Sequence, residues 1–321
     1  MIQQATRATP RLDLGAAFLE YQTTAAVFAG IQALAVFESQ KKAAKFEKIT
    51  RESLLNLADA KRSTAGDYNR IDLYAEDDDF SCEEFGLEGR LGDEQRSLYK
   101  ADFDAEVAKT NQAGHILMVR QDVRAAALLF DPTTSWPTTD SNLYTDVSAA
   151  PWDAAGSDAI GHVIAASEKV RRNTGVKPNA LLVGKVSLNN LLQNTGILAR
   201  FPGAALVTAA MLRNAMAAIF DLDKLIVGET VYNGAKEGQA FSGTDVWNDD
   251  YALICRVAEP NAPLETPCVG RTILWGADSP QNPTVETYRQ EDVRSTIIRV
   301  RHHVDELILD PYFGHLLKVD A

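Results

Sequence analysis

The alternation of apolar and polar positions divides the chain into a few long elements, and the longest lies between Gly92 and Phe130. Tyr99, Phe103, Val107, Gly114, Leu117, Ala125 and Leu128 recur there at helical spacing, with Asp93 and Glu94 at the start and Asp131-Pro132 after the end. No proline interrupts the run, so the pattern predicts one helix over residues 92–130. At about 1.5 Å per residue it would be roughly 55 to 60 Å long, a strut longer than a small domain is wide. Its heptads are too irregular for a coiled coil, which points to an elongated subunit.

Before this strut the pattern is weaker. Residues 14–37 are long enough to tempt a membrane reading, but Glu20, Gln22 and Gln32 interrupt them and no signal-peptide cleavage site follows a short apolar core. They read as an arm that packs on neighbouring chains. Residues 41–49 and 68–85 alternate in the manner of strands, joined by a polar connection containing Ser63, Thr64, Gly66 and Asp67. Together they predict a long two-stranded excursion with little core of its own, and a lone hairpin is marginal in water.

Beyond Pro132 the sequence is loop-like to Pro151, after which Ser157 is placed to cap a helix carrying Ile160, Val163, Ile164 and Val170 and ended by Gly175. A strand at 180–183, helices at 187–192 and 208–220, and strands at 225–227 and 251–257 follow, which together describe an α/β unit over residues 171–276. Ile298, Val300, Val304 and Ile308 mark a long strand over 293–309, and the closing HLLKVDA reads as another.

With 321 residues, 45% of them hydrophobic and 24% charged, the chain can bury two cores and is not disordered. A net charge of -12 argues against a dedicated nucleic-acid binder, because phosphate neutralisation needs clustered Lys and Arg. Cys82, Cys255 and Cys268 lack metal-site spacing, and their odd number argues against a disulfide framework. They are expected to be buried thiols.

Chemistry-bearing motifs fail one by one. Gly184-Lys185 resembles half a phosphate loop, but Asn179 stands where the first glycine is needed and Val186 follows the lysine. Gly156-Ser157 lacks the second glycine of a nucleophile elbow. His302 and His303 are adjacent in a strand, so they point to opposite faces and do not grip one metal; both are expected at a surface or interface. Asp77, Asp78 and Asp79 lack the alternating ligands and turn glycine of a calcium loop. No catalytic, cofactor or metal residue is predicted, and an enzyme is not expected.

The order of parts, namely apolar arm, hairpin, strut, α/β unit and returning strands, resembles the major capsid proteins of tailed bacteriophages with the Hong Kong 97-type fold, a fold shared by encapsulin nanocompartments. The resemblance covers nearly the whole chain. It is carried by Leu128-Leu129-Phe130-Asp131-Pro132, Trp152-Asp153 before Ser157-Asp158-Ala159-Ile160, Thr174-Gly175 with Pro178-Asn179, Val227-Gly228-Glu229, Val246-Trp247 and the final His315-Leu316-Leu317-Lys318.

It implies an α+β fold with an N-arm at residues 1–37 and an E-loop hairpin at 38–86. The peripheral domain, with the spine helix, would take 87–170 and 280–307, and the axial α/β domain 171–279 and 308–321. Gly86, Gly89 and Gly92 would then be hinges between hairpin and spine. The function implied is self-assembly as hexamers and pentamers into an icosahedral shell around double-stranded DNA, in the virion, after assembly in the host cytoplasm. Partners would be further copies, portal and scaffold proteins and decoration proteins, with packaged DNA touched only non-specifically and no membrane involved. Within the hairpin, Arg51, Glu52, Leu54, Leu55, Leu57, Lys61 and Arg62 are the expected contacts to a neighbouring subunit, the leucines by burial and the charges by register. Lys41, Lys42, Lys45, Lys48 and Lys61 are the positions from which a cross-linking lysine would come, and a non-covalent shell is expected. An encapsulin shell is the alternative, and an α/β enzyme working in residues 171–276 the second.

Overall fold

In the computed structural model the described residues are 9–25, 28–57, 61, 70–71, 74–98, 104–154, 156–200, 215–279 and 283–320. Two sheets organise them. The first has five strands in the order Tyr144–Asp146, Gly314–Lys318, Tyr251–Cys255, Ala180–Gly184, Lys224–Gly228. Strand alternation gives it two apolar faces. Leu182, Leu253 and Leu316 stand abreast on one, against Ala125, Ala126 and Leu129. Leu181, Ile254 and Leu317 look the other way, onto Ile160, Val163 and Leu188. A sheet covered on both faces reads as unbroken apolar runs, and Ala180-Leu181-Leu182-Val183 is such a run, every residue of it buried.

The helix on that second face, Ala159–Thr174, begins at Asp158, whose carboxylate accepts from the Gly161 amide at 2.9 Å. Ser157, the cap expected from the sequence, instead donates its hydroxyl to the Ala150 carbonyl at 2.9 Å. Gly175 ends the helix with φ of 72°, a conformation that disfavours any side chain.

The second sheet is built on the strand Ser295–Ile308. Glu83–Gly92 runs antiparallel to it along Ser295–Val304. Thr284–Gln290 pairs with its first half, and Gly270–Leu274 with the far end, Val304 to Ile308. Val36–Ser39 joins Gly270–Trp275 in parallel, and Thr9–Pro10 adds to the edge at Glu286 and Thr287.

The strut is the helix Ala105–Leu129, 25 residues or about 37 Å. The expected start at residue 92 is therefore corrected. Asp104 has extended backbone and accepts from the amides of Glu106 and Val107, a cap that begins a new helix, while Asp93–Leu98 is a separate short one. Residues 99–103 lie outside the described residues. The C-terminal half of the strut covers the five-stranded sheet and its N-terminal half covers the other, so one helix joins the two layers.

Three further expectations are corrected. The N-terminal segment packs on its own subunit: Leu14 and Phe18 of the helix Leu12–Ala25 are buried against the strut, and Phe18 fills the space that a β-carbon on Gly114 would need. Ala29, Ala33 and Leu34 enter the main core. Gly86, Gly89 and Gly92 are not hinges, because each is held in the ladder opposite Arg301, Ile298 and Ser295. The stretch 132–151 holds an edge strand and the buried Trp136, whose indole donates to the Leu129 carbonyl at 2.7 Å. The helix expected over 208–220 is seen as helix over 215–219, its earlier part lying outside the described residues.

Candidate assembly surfaces

The hairpin consists of Ala43–Ile49 and Ala75–Ser81, paired from Ala43 with Ser81 to Ile49 with Ala75. Alternation gives it one apolar side at its base: Phe80 is buried with Cys82 and Ile273, and Phe46 packs beside them. Farther out the described residues leave it uncovered. Leu57 is 97% exposed, Ile71 78% and Tyr74 64%. Among the residues expected to meet a neighbour, Arg51, Glu52 and Leu54 lie in the short helix Arg51–Leu54, Leu55 and Leu57 follow it, and Lys61 is exposed. Arg62 lies outside the described residues.

Two apolar surfaces are not visible in the sequence pattern. The glycine-rich stretch after Gly228 is a second hairpin, Val231–Asn233 with Gly243–Asp245, and Phe241 on it is 76% exposed beside Val231 and Tyr232. Glycine content hides it, since few apolar or aromatic positions mark the strand pair. The other is a groove of about 360 Å³ between the strut and the strand Glu83–Gly92, lined by Phe85, Leu87, Ile116, Leu117 and Val123 with Arg120 at its side. Ile116 and Arg120 are one helical turn apart, a signal that becomes readable only once the buried face of the helix is known.

Charge networks fix the frame around these surfaces. Arg301 donates to Glu286 at 2.8 Å and pairs with Asp278, and the two carboxylates hold its guanidinium above its ordinary pKa. Arg301 in turn keeps Asp278 below the usual carboxylate range. His303 places Nδ1 3.1 Å from Asp278 and stacks edge-on to Trp275. Arg124 makes a two-pronged contact to Glu306 at 2.8 and 2.9 Å and lies 3.8 Å over Phe85.

Asp122, buried on the strut, accepts from the Gly30 amide at 2.7 Å and from the Trp247 indole at 2.8 Å, so it joins the N-terminal segment and the five-stranded layer to the spine. Burial raises its pKa. His302 and His303 are both buried rather than at a surface, which corrects the expectation, and so is His315; desolvation takes His302 down to about 3 and His315 to about 4.

The incomplete motifs are occupied by other contacts. The space a β-carbon on Gly184 would need is taken by Asp249, whose Oδ1 accepts from the Val186 amide at 3.0 Å, and Lys185 pairs with Glu229. An anion finds a carboxylate there already. Asp78 lies in a strand and faces Lys48 at 3.6 Å. Among the described residues no three His, Cys, Asp or Glu side chains are grouped to hold a metal, and no helix is long and apolar enough to cross a membrane.

No protein-family model matches the chain. The major capsid protein of Burkholderia phage BcepMu is 25% identical over 303 residues, 92% of this chain and 92% of that one. Among solved structures, a phage-related protein from Bordetella bronchiseptica matches with a TM-score of 0.71 at 19% identity, over 98% of each chain. The capsid of Cyanophage P-SCSP1u matches with a TM-score of 0.57 at 12% identity, over 100% of this chain and 91% of the other.

Proposed function

We propose, from the premise that this chain is a phage major capsid protein of the Hong Kong 97-type fold, that copies of it assemble as hexamers and pentamers into an icosahedral shell around the double-stranded DNA of a tailed phage. The observation that carries this is the pair of closed cores beside a hairpin whose outer apolar residues, Leu57, Ile71 and Tyr74, stay in water. Each such side chain gains about 1.5 to 3 kcal/mol if a neighbour buries it, and the gain recurs at every equivalent contact of a closed shell.

In this reading residues 38–86 form the E-loop, 87–170 with 280–307 the peripheral domain, and 171–279 with 308–321 the axial domain, preceded by an N-arm at 1–37. The N-arm acts mainly on its own subunit, given the burial of Leu14 and Phe18. Arg51, Leu55, Leu57 and Lys61 serve the contact to the next copy, and the exposed hairpin around Phe241 serves contacts among axial domains. The role is structural. Portal and scaffold proteins guide closure, decoration proteins bind outside, and DNA is touched without sequence preference by a subunit of net charge -12. The location is the virion. A viral shell is favoured over a cargo compartment because the relative found by sequence is a phage capsid protein.

Electron microscopy and sedimentation of the purified protein test this. Closed shells, tubes or capsomers are expected; a stable monomer at high concentration and physiological salt sinks it. Replacing residues 51–67 by a short Gly-Ser turn is expected to leave the circular dichroism spectrum unchanged while the protein sediments as small oligomers.

A further inference from the structure

At its root the hairpin is tied to its own subunit. Lys48 Nζ donates to the Leu309 carbonyl at 3.2 Å while lying 3.6 Å from Asp78 and 4.0 Å from Glu76 on the opposing strand. The Arg51 guanidinium carbon is 3.4 Å from the ring centre of Tyr312. Leu55 rests a methyl group over Gly175, 2.9 Å from where a β-carbon would stand. Tyr312 is itself held in place, its amide donating to Asp310 at 2.9 Å and its hydroxyl 3.4 Å from Asp140. These contacts draw together three pieces far apart in sequence: the hairpin, the turn after the long strand and the end of the helix Ala159–Thr174.

The residues concerned are the wrong kind for a permanent joint. A cation stacked on a ring, a lysine on one carbonyl and a leucine still 49% exposed make a contact of small area, outboard of the buried cluster of Phe80, Cys82 and Ile273 that anchors the base of the hairpin. A partly exposed cation–π contact favours the closed form by only about two- to fivefold. Meanwhile Arg51 and Leu55 belong to the segment that, on the capsid reading, must meet a neighbour. A side chain cannot serve both contacts at once.

We infer that Lys48, Arg51 and Leu55, with Tyr312 and Gly175, form a latch that holds the hairpin back on its own body in the free subunit and lets go when a second copy offers a larger apolar seat. This rests on the shell reading and adds a regulation to it. Because the latch is made only before assembly, it lowers the fraction of subunits ready to join by its own closing equilibrium. Weak closure suits that role, since it delays chance association without blocking growth on a shell already begun.

The test uses the full chain with Leu57→Cys and Ile164→Cys, both exposed positions, carrying spin labels for distance measurement; the native cysteines are buried and do not compete. Tyr312→Leu removes the ring, and Tyr312→Met removes it with a more adaptable side chain should Tyr312→Leu disturb folding; Arg51 is left unchanged because it also serves the contact to the next copy. In the dissociated subunit either variant is expected to shift and broaden the label-to-label distances. In unlabelled protein either is expected to lower the concentration at which light scattering reports assembly by about two- to fivefold. Glu47→Gln on the exposed side of the hairpin changes neither. Unchanged distances overturn the latch, and so do altered distances with weaker assembly, which make Tyr312 an ordinary support of the hairpin. If the parent protein forms no assembly at any concentration, the shell reading falls and the latch with it.

Discussion

The five-stranded layer and the hairpin use the same strand alternation and end in opposite conditions. In the layer both faces are covered by helices of the same chain, so Leu253 on one side and Ile254 on the other are equally buried. Among the described residues of the hairpin, Phe80 and Cys82 are buried at its base and Leu55 touches Gly175, whereas Leu57, Ile71 and Tyr74 farther out are exposed. Alternation by itself therefore says which residues share a face and nothing about who covers it. In the layer the coverer is the spine and its neighbours; for the hairpin, on the capsid reading, it is another copy.

The contrast can be broken most forcefully from the side of the layer. Leu253→Ala opens a cavity in a core sealed on all sides and is expected to lower unfolding free energy in urea by about 2 to 5 kcal/mol. A loss below that range means the layer is looser than its burial implies. Acid provides the next test. Burial takes His315 down to about 4, between Thr145, the Asn142 carbonyl and Lys169. An unfolded histidine titrates near 6.5, so between about 6.5 and 4 the unfolded chain takes up a proton that the folded one refuses. Stability is then complete above about pH 6.5 and falls toward pH 4, by about 3 kcal/mol from this group. Urea unfolding at about pH 7 and about pH 4.5 checks it, with His315→Gln expected to show the smaller difference.

Asp122→Asn probes the joint between layers. An asparagine keeps one acceptor oxygen and turns an NH2 toward either the Gly30 amide or the Trp247 indole, leaving a buried donor unpaired at about 1 to 3 kcal/mol. Thermal unfolding followed by Trp fluorescence reads the loss. Smallest of all is Leu57→Ser, expected to change subunit stability by less than about 0.5 kcal/mol while raising the concentration needed for assembly. A large loss of subunit stability there would place the hairpin tip inside a core and erase the contrast.

Local signals make the layer legible in the sequence. Ala180 to Val183 is apolar without interruption, and Gly175 marks a helix end, so strand and boundary both follow from neighbouring residues. The beginning of the strut is harder to read although its sign is present: Asp104 stands three residues before Val107, a capping arrangement that an unbroken apolar period outweighs. What no local pattern contains is pairing at a distance. Glu83 to Phe85 read as the end of the hairpin and Gly86, Gly89 and Gly92 as hinges after it, and only the partner Ser295–Val304 makes Glu83–Gly92 one strand of a sheet. The expected contact residues are legible as a class, leucines among charges, whereas the stacking of Arg51 on Tyr312 joins positions that no periodicity connects.

That distant pairing also sets a timetable. Leu91 lies opposite Thr296, roughly 200 residues later in the chain, so a ribosome adding about 5 to 20 residues per second needs about 10 to 40 s to deliver the partner. Throughout that interval the strut has its own residues but lacks the strand that completes the sheet beneath it, and the five-stranded layer lacks its own strand Gly314–Lys318. Nascent chains crowded on one messenger therefore cannot present finished surfaces to each other. On the capsid reading, assembly waits until the strand Gly314–Lys318 has been made.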